Sequence, residues 1–197
     1  MITVGVTGSF SSGKSAVTAV FKKLGARVFD ADATAKKVTR KGTAVYRAIV
    51  QIFGKDFVGK DGQLDRKKLA ERVFAHPKDL RTLNILIHPE VIFEALKAKR
   101  AVKHQKGVLV LDVPLLYESR MEKLADKIVV VDAQQKQILK RGKQKGVDPA
   151  LSKKILKTQW SFAKKARSAD YIIENRGDLK DLERKAREVF RLIKEEV

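Results

Sequence analysis

Several features that would define a protein class are missing from this chain. It has no cysteine, which excludes disulfide bonds and thiolate metal sites. No apolar run approaches the roughly 20 residues that a membrane-spanning helix needs. The first residues, Met1 to Val4, have no basic flank and no cleavable apolar stretch. They predict no signal peptide, and a cytoplasmic location is therefore the default expectation.

Acidic residues are also scarce relative to basic ones. The chain has 23 Asp and Glu against 43 Lys and Arg, for a net charge of +20. Such a field attracts polyanions, which include nucleic acids, anionic lipids and phosphorylated small molecules. A lysine-rich solvated surface explains the same count. With a hydrophobic fraction of 44%, the composition indicates a globular protein without choosing among these partners.

Short β-branched runs alternate with longer helical patterns, which is typical of a parallel α/β sheet. A helix is predicted from Lys14 to Leu24 with Gly25 as its stop, and a last helix from Leu179 to Glu196 with Asp178 as its cap. Five strands are predicted, at Ile2 to Thr7, Ala26 to Phe29, Val108 to Leu111, Lys127 to Val131 and Tyr171 to Ile173.

Two excursions interrupt this alternation. About 75 residues with helical periodicity separate the second and third strands, which is too long for a simple crossover. They predict a helical insertion, with helices at Ala44 to Phe53, Arg66 to Phe74, Leu80 to Ile87 and Val91 to Val102. The second excursion runs from about residue 140 to 167. We find no internal repeat and expect one domain carrying these excursions.

The first strand leads into Gly-Ser-Phe-Ser-Ser-Gly-Lys-Ser at residues 8–15, a complete G-x-x-x-x-G-K-[ST] motif with a strand before it and a helix after it. Gly8 and Gly13 allow backbone angles and a close approach that a side chain would block. The amides from about Ser11 to Ser15 are expected to face anionic oxygens, helped by the helix dipole. Lys14 is expected to reach the β- and γ-phosphates, and the Ser15 hydroxyl to ligate Mg²⁺. This P-loop predicts nucleoside triphosphate binding.

The motif does not identify the acceptor of the phosphoryl group. A GTPase should carry N-K-x-D, which is absent, and the D-x-x-G match at residues 56–59 follows no strand. A small-molecule kinase fits better.

Four acidic residues are expected near the phosphates, because ligands of open α/β sheets sit beyond the carboxyl ends of the strands. They are Asp30, Asp32, Asp112 and Glu118. Asp32 is the candidate to orient or deprotonate the attacking hydroxyl, Asp112 is the candidate metal-side acid, and Asp30 serves equally well as a turn residue.

Further motifs follow in a fixed order: Asp30-Ala31-Asp32, Ile87-His88-Pro89, Val113 to Glu118, Gln159, and Ala169 to Asn175. In this order the chain resembles the dephospho-CoA kinases, from Thr3 to about Asp181. The resemblance implies ATP-dependent phosphorylation of the ribose 3′-hydroxyl of dephospho-CoA, with Mg²⁺. It also implies a P-loop nucleoside triphosphate hydrolase fold, three-layer α/β/α with a five-stranded parallel sheet, a helical CoA-binding insertion and a small lid. The implied bounds are 1–34, 107–139 and 168–197 for the nucleotide-binding core, 35–106 for the insertion and 140–167 for the lid.

Site roles follow from the resemblance position by position. Asp32 resembles the family's proposed base, and Lys14 and Arg141 are the other implied catalytic residues. The implied metal ligands are Ser15 and Asp112, in part through water. His88 and Pro89 belong to the acceptor side, although a structural role beside a helix break suits His88 equally. The implied nucleotide-binding residues are Gly8, Ser11, Ser12, Gly13, Lys14, Ser15, Ala16 and Asn175, and the implied acceptor-binding residues are Asp32, His88, Pro89, Leu115, Leu116 and Glu118.

The predicted lid departs from the family pattern. Residues 135–167 contain eleven Lys and Arg and one acid, Asp148. Arg141 matches the first lid arginine of the family, but Lys145 stands where a second arginine is common and Ala163 where a glutamate is common. Lysine keeps the charge without the planar fork of arginine. For each individual lysine, solvation is the expected state.

Two alternatives remain at this point. One is a kinase of the same architecture that acts on nucleoside monophosphates or shikimate. The other is a nucleotide-gated nucleic-acid-binding protein, suggested by the charge, but no RNP-like strand, zinc ligand set or basic recognition helix supports it. We therefore expect ATP and dephospho-CoA as partners, no membrane or nucleic-acid partner, and a monomer or weak oligomer.

Overall fold

Five strands form one parallel sheet in the order β2-β3-β1-β4-β5 in the computed structural model, which describes residues 1–196. Each strand begins and ends within one residue of its predicted bounds, so the α/β prediction is confirmed. The strands are β1 Ile2–Gly8, β2 Arg27–Asp30, β3 Val108–Asp112, β4 Lys127–Asp132 and β5 Tyr171–Glu174.

Nine α-helices accompany the sheet in the described part of the chain. They are α1 Lys14–Lys23, α2 Ala31–Val38, α3 Ala44–Phe53, α4 Arg66–Ala75, α5 Pro77–Ala101, α6 Gln135–Gln144, α7 Pro149–Thr158, α8 Phe162–Ala166 and α9 Leu179–Glu195. The predicted ends of the first and last helices are confirmed to within one residue. Gly25 follows α1 with φ of 96°, a conformation that suits glycine, and the Asp178 side chain accepts a hydrogen bond from the Asp181 amide.

The chain divides into two compact units. One is Ala31–Glu94, and the other contains Met1–Asp30 and the chain from Ala95 onward, which includes the whole sheet. Both faces of the central strands β1, β3 and β4 are buried, as is typical of a parallel sheet, whereas the edge strands β2 and β5 are partly exposed. On one face α1 packs with α9, and the rings of Phe21 and Phe190 lie 5.0 Å apart. The buried apolar side chains of these two helices therefore face the core.

The smaller unit has a core of its own. Val45 and Ile49 of α3 pack with Leu69 and Val73 of α4 and with Leu64. The helices α3 and α4 confirm the predictions for Ala44 to Phe53 and Arg66 to Phe74.

Two predictions for the helices were wrong. The helices expected at Leu80 to Ile87 and Val91 to Val102 are one helix, α5, with Pro89 inside it. A proline removes one intrahelical hydrogen bond and disfavours a helix, but it does not forbid one. In addition, the sequence pattern missed α2, which begins at Ala31 and places Asp32 in its first turn. Over residues 1–196, no helix combines the length and the apolar character that crossing a membrane requires.

Candidate functional site

The P-loop joins β1 to α1, and its backbone needs both of its glycines. A Cβ at Gly8 would lie 2.5 Å from the Val131 carbonyl oxygen, and one at Gly13 would lie 2.2 Å from Asn175 Nδ2. Gly13 also has φ of 104°. Ser11 adopts φ of 54°, which is uncommon for a residue with a side chain and marks local strain in the loop. The loop is therefore built against β4 and Asn175, with no room for larger residues at either glycine.

Lys14 begins α1 and forms an ion pair with Asp112 at the end of β3. Both side chains are nearly buried, with exposed fractions of 11% and 8%. In the sheet register Asp112 lies beside Val6 of β1 and beside Asp30 of β2. The sheet thus brings the P-loop lysine and the predicted metal-side acid together at the carboxyl ends of the strands.

Arg141 of α6 reaches the P-loop. Its guanidinium donates to the Ser12 carbonyl oxygen at 3.3 Å and to Asn175 Oδ1 at 3.2 Å. Asn175 Nδ2 donates to the same Ser12 carbonyl at 2.7 Å. Arg141 and Asn175, both predicted site residues, therefore meet at one backbone carbonyl of the loop. In this arrangement Asn175 positions the loop through that carbonyl.

Two further contacts join the P-loop to the segment predicted as the lid. The Phe10 amide donates to Gln159 Oε1 at 2.9 Å. A Cβ at Gly142 of α6 would lie 3.0 Å from Phe10 Cε1, so the absence of a side chain there lets the Phe10 ring approach. In the sequence Gln159 is recognisable only as part of a motif without an assigned role, and Phe10 occupies a variable position of the P-loop pattern.

The loop after β3 carries three residues predicted to bind the acceptor. Leu115 is half-buried, whereas Leu116 is fully buried, with its Cδ2 2.9 Å from where a Cβ of Gly5 would stand. The side chain of Leu116 therefore packs in the core, which does not support the acceptor-binding role predicted for it. Glu118 Oε1 accepts from the Trp160 amide at 2.7 Å and lies 3.2 Å from Lys165 Nζ.

Lys165 contradicts the expectation that each lysine of the lid segment is solvated. It is 0% exposed, and burial lowers the pKa of its ammonium group, an effect that Glu118 opposes. Because the residue lies among many lysines of the same segment, no local pattern in the sequence marks it as the buried one.

Tyr117 and Trp160 form a stacked pair beside this ion pair, with ring centroids 5.3 Å apart and planes within 5°. The Tyr117 hydroxyl donates to the carbonyl oxygens of Lys165 and Ser168 at 3.1 and 3.0 Å. Burial raises the pKa of Tyr117 to about 12, and the carboxylates of Asp170, Glu122 and Glu118 add to the shift.

The remaining predicted acceptor-side residues belong to the smaller unit. Asp32 is exposed in the first turn of α2. His88 is half-buried and Pro89 exposed, both within α5 rather than beside a helix break.

The oxygen-bearing side chains near the P-loop can be compared with the ligands that Mg²⁺ prefers. Within residues 1–196, no group of three or more His, Cys, Asp or Glu side chains could hold a metal ion. Mg²⁺ usually binds through one or two carboxylates together with substrate phosphates and water. The hydroxyl of Ser15 and the carboxylate of Asp112 are oxygen donors that fit this mode of binding.

Comparisons with known proteins agree with this geometry. The family model for dephospho-CoA kinase matches residues 2–181. A dephospho-CoA kinase of Fusobacterium nucleatum is 40% identical over 188 residues, covering 92% of this chain and 93% of its own.

Two solved structures are similar over the whole fold. TT1252 of Thermus thermophilus has a TM-score of 0.77 at 29% identity, covering 98% of this chain and 97% of its own. A dephospho-CoA kinase from Campylobacter jejuni has a TM-score of 0.71 at 26% identity, with the same coverage. With the phosphate loop, its lysine and the motif order in place, the chain belongs to the dephospho-CoA kinase family.

Proposed function

We propose that this chain transfers the γ-phosphoryl group of ATP to the ribose 3′-hydroxyl of dephospho-CoA, which gives coenzyme A and ADP. The P-loop carries the phosphoryl-donor half of the proposal, since its lysine lies at the strand ends and Arg141 reaches its backbone. The choice of dephospho-CoA as acceptor rests on membership of the dephospho-CoA kinase family. In the reaction a bond forms between the 3′-oxygen and the γ-phosphorus, and the bond from that phosphorus to the β,γ-bridging oxygen breaks.

The loop residues supply the donor side of the proposed reaction. The amides of residues 11–15 and the start of α1 would hold the phosphates, together with Gly8, Gly13 and Ala16. Lys14 would exchange part of its interaction with Asp112 for the β- and γ-phosphates. Arg141, already at the Ser12 carbonyl, would neutralise charge on the transferred group. The hydroxyl oxygens of Ser11 and Ser12 are buried without a protein partner in the described chain, which agrees with a ligand that donates or accepts there.

Asp32 is the proposed base. It follows β2 by two residues, and β2 lies beside β3, which ends at Asp112. Its carboxylate would accept the proton of the 3′-hydroxyl or orient that group for attack. His88, Pro89, Leu115 and Glu118 are the proposed acceptor-side residues.

Mg²⁺ is the proposed metal, held by Ser15 and, in part through water, by Asp112. When bound, it would neutralise negative charge on the phosphates as the leaving group departs. The protein's own contribution is to place these two oxygen donors beside Lys14.

The proposed domain organisation assigns residues 35–106 to acceptor binding and residues 140–167 to a lid that excludes water from the transfer. The partners proposed are ATP and dephospho-CoA, with the chain acting as a monomer or weak oligomer.

An ADP-release assay with ATP and Mg²⁺ tests the proposal. We expect dephospho-CoA to stimulate ADP release far above shikimate or nucleoside monophosphates. The variant Lys14→Ala should lose turnover by orders of magnitude, whereas Lys22→Ala, which removes an exposed lysine of the same helix, should keep it. A folded wild-type protein that dephospho-CoA does not stimulate would refute the proposal.

A further inference from the structure

Lys165 is a charged side chain without any solvent exposure, which is rare unless the charge has a specific task. Its ammonium group contacts two oxygen atoms of one loop, Glu118 Oε1 and the Pro114 carbonyl, each at 3.2 Å. The lysine therefore fixes both ends of the segment from Pro114 to Glu118.

One end of this segment leads to the P-loop through hydrogen bonds. Glu118 Oε1, held by Lys165, accepts from the Trp160 amide at 2.7 Å. The preceding residue, Gln159, accepts from the Phe10 amide at 2.9 Å. Phe10 lies within the P-loop, so this path runs from the buried lysine to a loop amide through three polar contacts and the peptide bond between Gln159 and Trp160.

The other end of the segment reaches the strand that carries the P-loop. The Pro114 carbonyl that accepts from Lys165 also accepts from the Thr7 hydroxyl at 3.0 Å. Thr7 is fully buried and directly precedes Gly8. The lysine is thus connected to the P-loop at both its beginning and its middle.

We propose that Lys165, paired with Glu118, is a positioning residue of the phosphate loop, acting through Gln159 on Phe10 and through Pro114 on Thr7. Its role is to hold the loop in the conformation that binds the triphosphate, so that ATP binding does not have to order it. The inference rests on the proposed function only in taking ATP as the nucleotide.

If the ion pair between Lys165 and Glu118 only stabilised the fold, its removal would change stability but not the affinity for ATP. Replacing a buried pair by apolar residues is often neutral for stability, whereas removing one partner leaves an unpaired buried charge. The double variant Lys165→Met/Glu118→Leu therefore separates the two roles, because it removes the loop anchor without leaving a buried charge.

The experiment measures the ATP dissociation constant by calorimetry and the thermal midpoint for the wild type, Lys165→Met, the double variant and Gln159→Ala. The matched control is Lys180→Met, which removes the same charge from an exposed lysine of α9, outside the predicted lid. We expect Lys165→Met to lower the midpoint and the double variant to recover much of it. Both should bind ATP about tenfold more weakly than the wild type, as expected for loss of a hydrogen bond to a charged group. The control should stay within about twofold, as is usual for surface substitutions.

The Gln159→Ala variant tests the path to Phe10 without touching the buried charge. It should also weaken ATP binding, and in its background the double substitution should weaken binding further by less than in the wild type, because both changes interrupt one path. Wild-type ATP affinity in a stable double variant, or in Gln159→Ala, would overturn the proposal. Lack of turnover with dephospho-CoA in a wild type that binds ATP would instead refute the proposed function alone.

Discussion

Gly13→Ala is the substitution whose cost the structure defines best. The added Cβ would lie 2.2 Å from Asn175 Nδ2, a distance that real Cβ atoms essentially never show. Asn175 would have to move, and its hydrogen bond to the Ser12 carbonyl would be lost. In addition, φ of 104° is a conformation that alanine rarely adopts.

The two contributions can be separated by a matched control. Gly25 has nearly the same φ, 96°, and a Cβ there would meet no atom within 4 Å. Gly25→Ala should therefore cost only the backbone term, about 1–3 kcal/mol. Gly13→Ala should cost about 1–3 kcal/mol more, the usual penalty for leaving a buried polar group, here the Asn175 side-chain NH₂, without its hydrogen-bond partner. The effect of alanine on the unfolded chain is common to both variants and cancels in the difference.

The assay is urea unfolding followed by the fluorescence of Trp160, the sole tryptophan, which lies in the same compact unit as both glycines. Activity follows by ADP release. Gly13→Ala should lose at least about a hundredfold in kcat/KM for ATP, equivalent to about 2.7 kcal/mol of transition-state stabilisation. Gly25→Ala should stay within about twofold.

A double-mutant cycle of Gly13→Ala and Asn175→Ala tests whether displacement of the Asn175 side chain causes the loss of stability. Because Gly13→Ala already displaces the amide, Asn175→Ala should cost little more in that background than the glycine change alone. Equal stability losses for the two glycine variants, or additive losses for Gly13→Ala and Asn175→Ala, would refute the reasoning.

Three further predictions concern the base, the buried phenol and the charge. Asp32→Asn should lower kcat by about a hundredfold or more with little change in ATP affinity, since general base catalysis contributes about that much; steady-state kinetics with intact activity would remove Asp32 from this role. The pKa of Tyr117 is raised to about 12 against an unfolded value near 10, so its contribution to stability is complete below about pH 10 and is lost as the pH rises through 12. The stability gap between the wild type and Tyr117→Phe should therefore shrink by about 2–3 kcal/mol between pH 9 and 12, and a constant gap would contradict this. Finally, the eleven basic residues and one acid in residues 135–167 should steer polyphosphate substrates to the site. Because salt screens this attraction, kcat/KM should fall about tenfold from low to high salt while kcat changes little. A kcat/KM that does not depend on salt would contradict this prediction.

Sequence alone predicted the features that depend on short-range pattern. The P-loop was recognisable because its glycines, lysine and serine act on phosphates through spacing within eight residues. The central strands β1, β3 and β4 were predictable because strands buried on both faces of a parallel sheet require continuous apolar runs. The edge strands β2 and β5 were predictable from short β-branched and aromatic runs. Asp112 was expected near the phosphates because the carboxyl ends of neighbouring strands meet at one edge of the sheet, and its ion pair with Lys14 agrees.

Local rules failed where longer-range packing competes with them. Pro89 predicted a break, but α5 continues through it. Asp32 looked like a residue following a strand, and it proved to lie in the first turn of a helix.

The contacts that hold the phosphate loop came only from the tertiary structure. Arg141, Gln159 and Asn175 lie far from the loop in sequence, and nothing in their local pattern says that each contacts it. Lys165 is the clearest case, because it stands among exposed lysines of the same segment and differs from them in burial alone. The residue types and their order identified the chemistry, whereas burial and hydrogen bonding between distant segments determined which of those residues hold the loop in place.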